Sequence, residues 1–215
     1  MSPTPTPSQL LHAFLDTTVN SIIPLTAKGV ASGCKVFGAA ILDKETLKPI
    51  QVATNDETVS PLLHGEINCI QQFYSLPSDQ RPLAKDTIFF ATHEPCSLCL
   101  SGITWGGFDN HYYLFTYEET RDTFAIPYDI DILEQVFRVP SLSSSETPTD
   151  LTSRPLYNKS NKFWTALSVN DLVASLVEGE EKDQLEKRVK EVKKMYDGLS
   201  ETYQNGKGEK GIPLA

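Results

Sequence analysis

Apolar residues recur along this chain with two different periods, and the switches between them mark its elements. From Gln9 to about Thr26, Leu10, Leu11, Phe14, Val19 and Ile22 fall at helical spacing, and Pro24 ends or bends that helix. Residues 34–43 and 49–55 read as two strands, and the polar "DKETLK" between them suits an antiparallel pair. Residues 60–76 read as a helix that opens on Ser60 and Pro61 and has Ile67, Ile70, Phe73 and Tyr74 on its apolar face. "DTIFFAT" (86–92) is a compact apolar run, hence a buried strand, and 96–107 is a helix closed by glycines. A strand at 111–117 and a helix at 129–137 complete the alternation. From residue 86 onward this order implies parallel neighbours in a layered α/β domain.

The ends of the chain read differently. Residues 1–8 are polar and Pro-rich and are expected to be disordered. The Ser/Thr/Pro-rich stretch 140–154 is expected to be a loop or linker. Residues 161–179 look helical, and 180–203 form a charged amphipathic helix. Its stripe of Leu185, Val189, Val192, Tyr196, Leu199 and Tyr203 docks on the domain or, alternatively, forms a dimer seam. The expected organisation is a domain over 9–139, a linker over 140–154 and a helical C-terminal extension over 155–215.

Composition narrows the function. The 215 residues carry net charge −9, which argues against broad contact with nucleic-acid phosphates. The chain opens on no signal segment, and no apolar run reaches the ~20 residues needed to span a bilayer. A soluble protein of a reducing compartment is expected, in the cytoplasm, with the nucleus also open. Four cysteines are too sparse for a disulfide scaffold. Cys96 and Cys99 therefore read as metal ligands or a redox pair, and Cys34 and Cys69 as small buried residues. Trp105 and Phe115 read as core, Phe163 and Trp164 as anchors of a helix, and His12 and His111 as structural or exposed.

Cys96 and Cys99 stand three apart at a helix start. That spacing places both sulfurs on one face, and the helix N-terminus favours thiolates. The motif alone fits a redox pair, half of a structural zinc site or part of a catalytic one. Among candidate third ligands, His64 opens a helix and is followed two residues later by Glu66. One of the two can ligate while the other handles protons. A His–Cys–Cys set leaves the fourth position of zinc open, as catalytic sites do.

"HGE" (64–66) with "PCSLC" (95–99) resembles the H-x-E…P-C-x-x-C pattern of the zinc-dependent cytidine/deoxycytidylate deaminase superfamily. "FGAAILD" (37–43), "SPLLHGE" (60–66) and "CLSGITW" (99–105) extend the likeness, which covers about residues 10–137. The resemblance implies a three-layer α/β/α sandwich with a mixed central sheet. It also implies Zn²⁺ held by His64, Cys96 and Cys99, proton shuttling by Glu66, and substrate contacts from Asn55 and from the backbone of Gly65 and Cys96. The implied reaction is hydrolytic deamination.

Histidine as first ligand is similar to the branch holding guanine, cytosine, deoxycytidylate and tRNA-adenosine deaminases. No basic cluster that would suit a phosphate lies in residues 55–125, so a free nucleobase, a nucleoside or a related aminated heterocycle is the expected substrate. A homo-oligomer, commonly a dimer, is expected by analogy. Three other readings stand beside this one: a silent deaminase-fold subunit, which would have lost Glu66; a tRNA-editing component; and a structural zinc module with a fourth protein ligand such as His93.

Overall fold

The computed structural model describes residues 4–141, 147–209 and 211–214. Its centre is a five-stranded sheet in the order β2-β1-β3-β4-β5. β1 (Gly38–Asp43) pairs antiparallel with β2 (Pro49–Thr54) and with β3 (Thr87–His93). β3 runs parallel to β4 (Asn110–Phe115), and β4 parallel to β5 (Thr165–Ser168). The sheet is mixed, as expected.

Alternation along the strands sends side chains into two separate cores. Ala39, Ile41 and Phe89 face one core, with Cys69 and Phe73 of α3 (Gly65–Ser75) and Leu100 and Ile103 of α4 (Ser97–Trp105). Ala40, Leu42, Ile88, Phe90 and Leu114 face the other, together with Leu11 and Phe14 of α1 (Pro7–Thr17). The rings of Phe14 and Phe90 stack at 4.5 Å. This is the three-layer sandwich.

The first helix starts at Pro7, inside the segment expected to be disordered, because Thr6 and Gln9 form a capping box; residues 1–3 lie outside the described residues. It passes through a π-helical turn, Thr18–Ile22, into α2 (Ile23–Ala31). Pro24 therefore opens a second helical segment instead of ending the first. α5 (Tyr117–Phe124), capped by Thr116 and Glu119, follows β4 directly, and α6 (Tyr128–Ile132) then runs into a π-helical turn, Leu133–Phe137. The expected linker holds a short helix, α7 (Pro148–Ser153), and its residues 142–146 lie outside the described residues.

The C-terminal part differs most from expectation. Residues 161–179 are not one helix: they supply edge strand β5 and then α8 (Val169–Ala174), whose start Ser168 caps. Trp164, 7% exposed, donates its indole N–H to Thr104 Oγ1 at 2.8 Å, while Phe163 is exposed. The charged helix divides into α9 (Glu180–Lys194) and α10 (Asp197–Gly206). Leu185, Val189, Val192, Tyr196 and Tyr203 are buried in the same core as Phe14 and Phe90. The stripe is consumed inside the chain and makes no seam. No helix among the described residues is long and apolar enough to cross a membrane.

Candidate active site

The site forms where β3 ends and the N-termini of α3 and α4 converge. The helix expected from Ser60 begins only at Gly65. Residues 60–63 form a turn, with the Leu63 N–H donating to Ser60 O at 2.9 Å. His64 and Cys96 are the extended N-cap residues of α3 and α4. Each side chain thus projects from a helix start, where the partial positive charge of the macrodipole favours anionic sulfur.

Two glycines make the approach possible. A Cβ on Gly65 would lie 2.8 Å from Gly38 Cα and 3.0 Å from Phe37 O, so α3 can rest on β1 only without one. Asn55 Oδ1 accepts the Gly65 N–H at 2.6 Å and fixes the helix start. Asn55 Nδ2 is buried with no partner among the described residues. On the other side, buried Glu94 accepts from Tyr157 Oη at 2.8 Å and from Tyr117 N–H at 3.2 Å, and pairs with Lys159 Nζ at 3.1 Å. Tyr117 Oη donates to Pro95 O. This network braces the loop that carries Cys96.

The donor atoms of His64, Cys96 and Cys99 all lie within 4.8 Å of one another. His64 Nδ1 is 3.4 Å from Cys96 Sγ and 3.6 Å from Cys99 Sγ. Tetrahedral zinc with Zn–S of ~2.3 Å and Zn–N of ~2.05 Å requires an N···S edge of roughly 3.6 Å. The donor set and its spacing therefore fit zinc. His93, considered as a fourth ligand, is not in this group. Its ring packs on Phe115 and Phe37, and its Nδ1 is 2.9 Å from Thr92 Oγ1.

Without metal, the three groups share protons unevenly. Hydrogen bonding from Cys99 and the neighbouring His64 hold the Cys96 thiol well below its ordinary value. Burial pushes the Cys99 thiol well up. Burial also pushes His64 down, but the hydrogen bond and charge of Cys96, with Glu66 and Asp129 beyond, outweigh it and raise the imidazole to about 9. Glu66 is buried beside them, and burial, then the charge of Cys96, raises its carboxyl to about 7. Its Oε2 has no hydrogen-bond partner among the described residues.

His64 and Cys96 open onto a cavity of about 330 Å³. That is the small end of the ~300–1,000 Å³ typical of small-molecule sites. Phe37, Ile126 and Tyr128 give it apolar walls, Leu62 and Leu98 stand at the helix starts, and Pro213 and Leu214 lie along it. Three charged residues in the lining went unmarked in the sequence: Asp129, Lys35 and Glu57. Asp129 is 8% exposed, and burial with the charge of Cys96 raises its carboxyl well above the ordinary range. Trp105, expected in the core, is 91% exposed: it points away from the face of α4 that buries Cys99, Leu100 and Ile103. Phe115 and His111 are buried, and His12 is exposed and meets Arg188.

Residues 19–115 match the family model of the cytidine and deoxycytidylate deaminase zinc-binding region, which spans all three metal-site residues. No curated protein matches the chain. Among solved structures, a guanine deaminase from Nitrosomonas europaea is 16% identical over 89% of this chain and 86% of its own, with a TM-score of 0.47. A guanine deaminase from Bacillus subtilis is 19% identical over 71% and 98%, also at 0.47. A tRNA:A34 deaminase that performs A-to-I editing at the wobble position is 15% identical over 68% and 92%, at 0.40.

Proposed function

We propose that the protein is a zinc-dependent hydrolytic deaminase that removes an exocyclic amino group from a free nucleobase, a nucleoside or a related aminated heterocycle and releases ammonia. The observation that carries this reading is the juxtaposition of the clustered His64–Cys96–Cys99 donor set with a buried carboxylate, Glu66, whose Oε2 has no partner among the described residues.

The net reaction breaks one C–N bond and forms one C–O bond. Of the two protons of the consumed water, one ends on a ring nitrogen and the other on the departing amine. His64, Cys96 and Cys99 hold zinc, which supplies Lewis acidity that makes water a competent nucleophile near neutral pH. Glu66 relays both protons through Oε2. Burial holds the Glu66 carboxyl above the ordinary carboxylate range, the direction that suits a group that takes and returns protons near neutral pH. Asn55 orients the Gly65 turn with Oδ1 and offers Nδ2 to a substrate acceptor. Phe37 and Tyr128 flank the ring.

Cavity size and charge both favour a small free ligand over nucleic acid. We assign the protein to the cytoplasm, and Leu62, Leu98 and Trp105, exposed around α3 and α4, suit a homo-oligomer contact. The test is ammonia release by zinc-loaded protein across guanine, cytosine, adenine, isoguanine, their nucleosides and CMP/dCMP. Glu66→Gln should keep its zinc and lose about 10²–10⁴-fold in rate on the active member. Equal rates in parent and variant would overturn the assignment of Glu66.

A further inference from the structure

Lys35 and Glu57 form an ion pair on the wall of the zinc-site cavity. Lys35 Nζ is 2.7 Å from Glu57 Oε1, and the Lys35 backbone N–H donates to Glu57 Oε2 at 2.7 Å. The two side chains are 8% and 1% exposed. Removing two charges from water is costly, and a buried ion pair commonly adds no stability over an apolar pair of similar volume. An ammonium carries three N–H donors. Among the described residues, Lys35 Nζ meets one acceptor, Glu57, so two donors remain on a wall that a ligand can reach. Glu57 is fully engaged at both oxygens and acts as the clamp that holds the ammonium in place.

We propose that Lys35, held by Glu57, is the specificity-determining residue of the cavity and reads an oxo group on the aminated heterocycle. This rests on the deaminase reading and names the substrate class within it: heterocycles bearing both an amino and an oxo substituent, with the amino end at His64 and Cys96. A cation hydrogen-bonded to that oxo oxygen also accepts part of the negative charge that nucleophilic attack drives into the ring. Substrates lacking the oxo group leave the remaining N–H donors of the Lys35 ammonium without an acceptor in a closed site and are rejected for that reason.

The competing explanation is purely structural, since the pair also ties the loop after Asn55 to the segment before β1. Matched ligands separate the two. Guanine and 2-aminopurine, cytosine and 4-aminopyrimidine, and isoguanine and adenine each differ by the oxo group and the ring N–H that accompanies it. Binding is measured by calorimetry on the zinc-loaded Glu66→Gln protein, so no turnover intervenes. In at least one pair the oxo member should bind about 10- to 100-fold more tightly. Adding Lys35→Met with Glu57→Gln, which leaves no unpaired charge, should collapse that ratio towards one with zinc content unchanged.

A parent that binds no oxo member, or shows no preference for one, overturns the proposal. So does a preference that survives in the Lys35/Glu57 variant. Should that variant fail to fold, the ¹⁵Nζ resonance of Lys35, assigned by its loss in Lys35→Arg, decides: it shifts with the oxo ligand and not with its partner, or the proposal is wrong. Ammonia assays on the parent keep the two readings apart. Oxo-selective binding without ammonia release refutes the deaminase reading alone. Turnover of deoxo and oxo members alike refutes the role of Lys35 alone.

Discussion

Replacing Gly65 with alanine isolates the contact that sets the metal site. Alanine is the better helix former by about 1 kcal/mol, so propensity alone predicts a stabilised α3. The surroundings predict the reverse. The added Cβ would meet Gly38 Cα at 2.8 Å, Phe37 O at 3.0 Å and Gly38 N at 3.1 Å. Carbon pairs prefer about 3.5–4.0 Å, so the overlap with Gly38 is roughly 0.7 Å or more. All three neighbours are backbone, so no rotamer change relieves it, and α3 must lift from β1. Overpacking of this kind costs typically about 1–3 kcal/mol, which leaves a net loss of up to about 2 kcal/mol after the propensity gain. The larger effect falls on the site. Lifting α3 stretches the 2.6 Å bond from Gly65 N–H to Asn55 and carries His64 away from Cys96 and Cys99. Loss of such supporting geometry typically weakens metal binding by about 10–100-fold. Competition with a chelator of known zinc affinity measures this directly, alongside a urea unfolding curve. A Gly65→Ala variant that binds zinc as tightly as the parent would refute the argument that this glycine pair positions His64.

Acid should destabilise the fold through His111. Burial, then the charge of Lys159, depresses its imidazole to about 3, and neither ring nitrogen has a hydrogen-bond partner among the described residues. Above about pH 6.5 the ring is neutral folded and unfolded, and its contribution is fully present; as pH falls from there towards 3, the unfolded chain binds a proton that the folded chain refuses. The loss approaches on the order of 5 kcal/mol at the acid end, and His111→Phe should flatten the slope of unfolding free energy against pH in that window; an unchanged slope would assign acid sensitivity elsewhere. Zinc uptake should expel about two protons near pH 7, from the raised groups His64 and Cys99, so affinity should climb about tenfold per proton for each pH unit. Calorimetry in buffers of different ionisation enthalpy counts those protons, and a pH-independent affinity would contradict it.

The central strands and the metal-site motifs were legible because their signals are local. The apolar runs of "FGAAILD" and of β3 and the three-residue step from Cys96 to Cys99 need no knowledge of the rest of the chain. The start of α3 was not, since Ser60 and Pro61 imitate a helix start while the true cap is a histidine that makes no side-chain cap bond. β5 was missed because Thr165–Ser168 has little strand propensity of its own and exists through parallel pairing with β4. Thr116 and Glu119 do carry a capping-box signal for α5, but it directly follows the apolar run of β4. Lys35 and Glu57 are 22 residues apart, and nothing local marks Asp129 as buried. Cavity walls assembled from distant segments leave no periodic trace.

The packing of Tyr196 bears on how the protein is made. Its ring, fully buried, meets His93 at 5.7 Å and Phe115 at 5.2 Å, at the ends of the two central strands. Synthesis is vectorial, at about 5–20 residues per second. All three metal donors have emerged by residue 99, while the cavity walls require Asp129 and the tail near Leu214, and the central strands gain their last aromatic cover only with α10. The donor residues are thus synthesised several seconds before the last residues that line the cavity. The order of synthesis therefore places the three donor residues ahead of the wall that completes the cavity beside them.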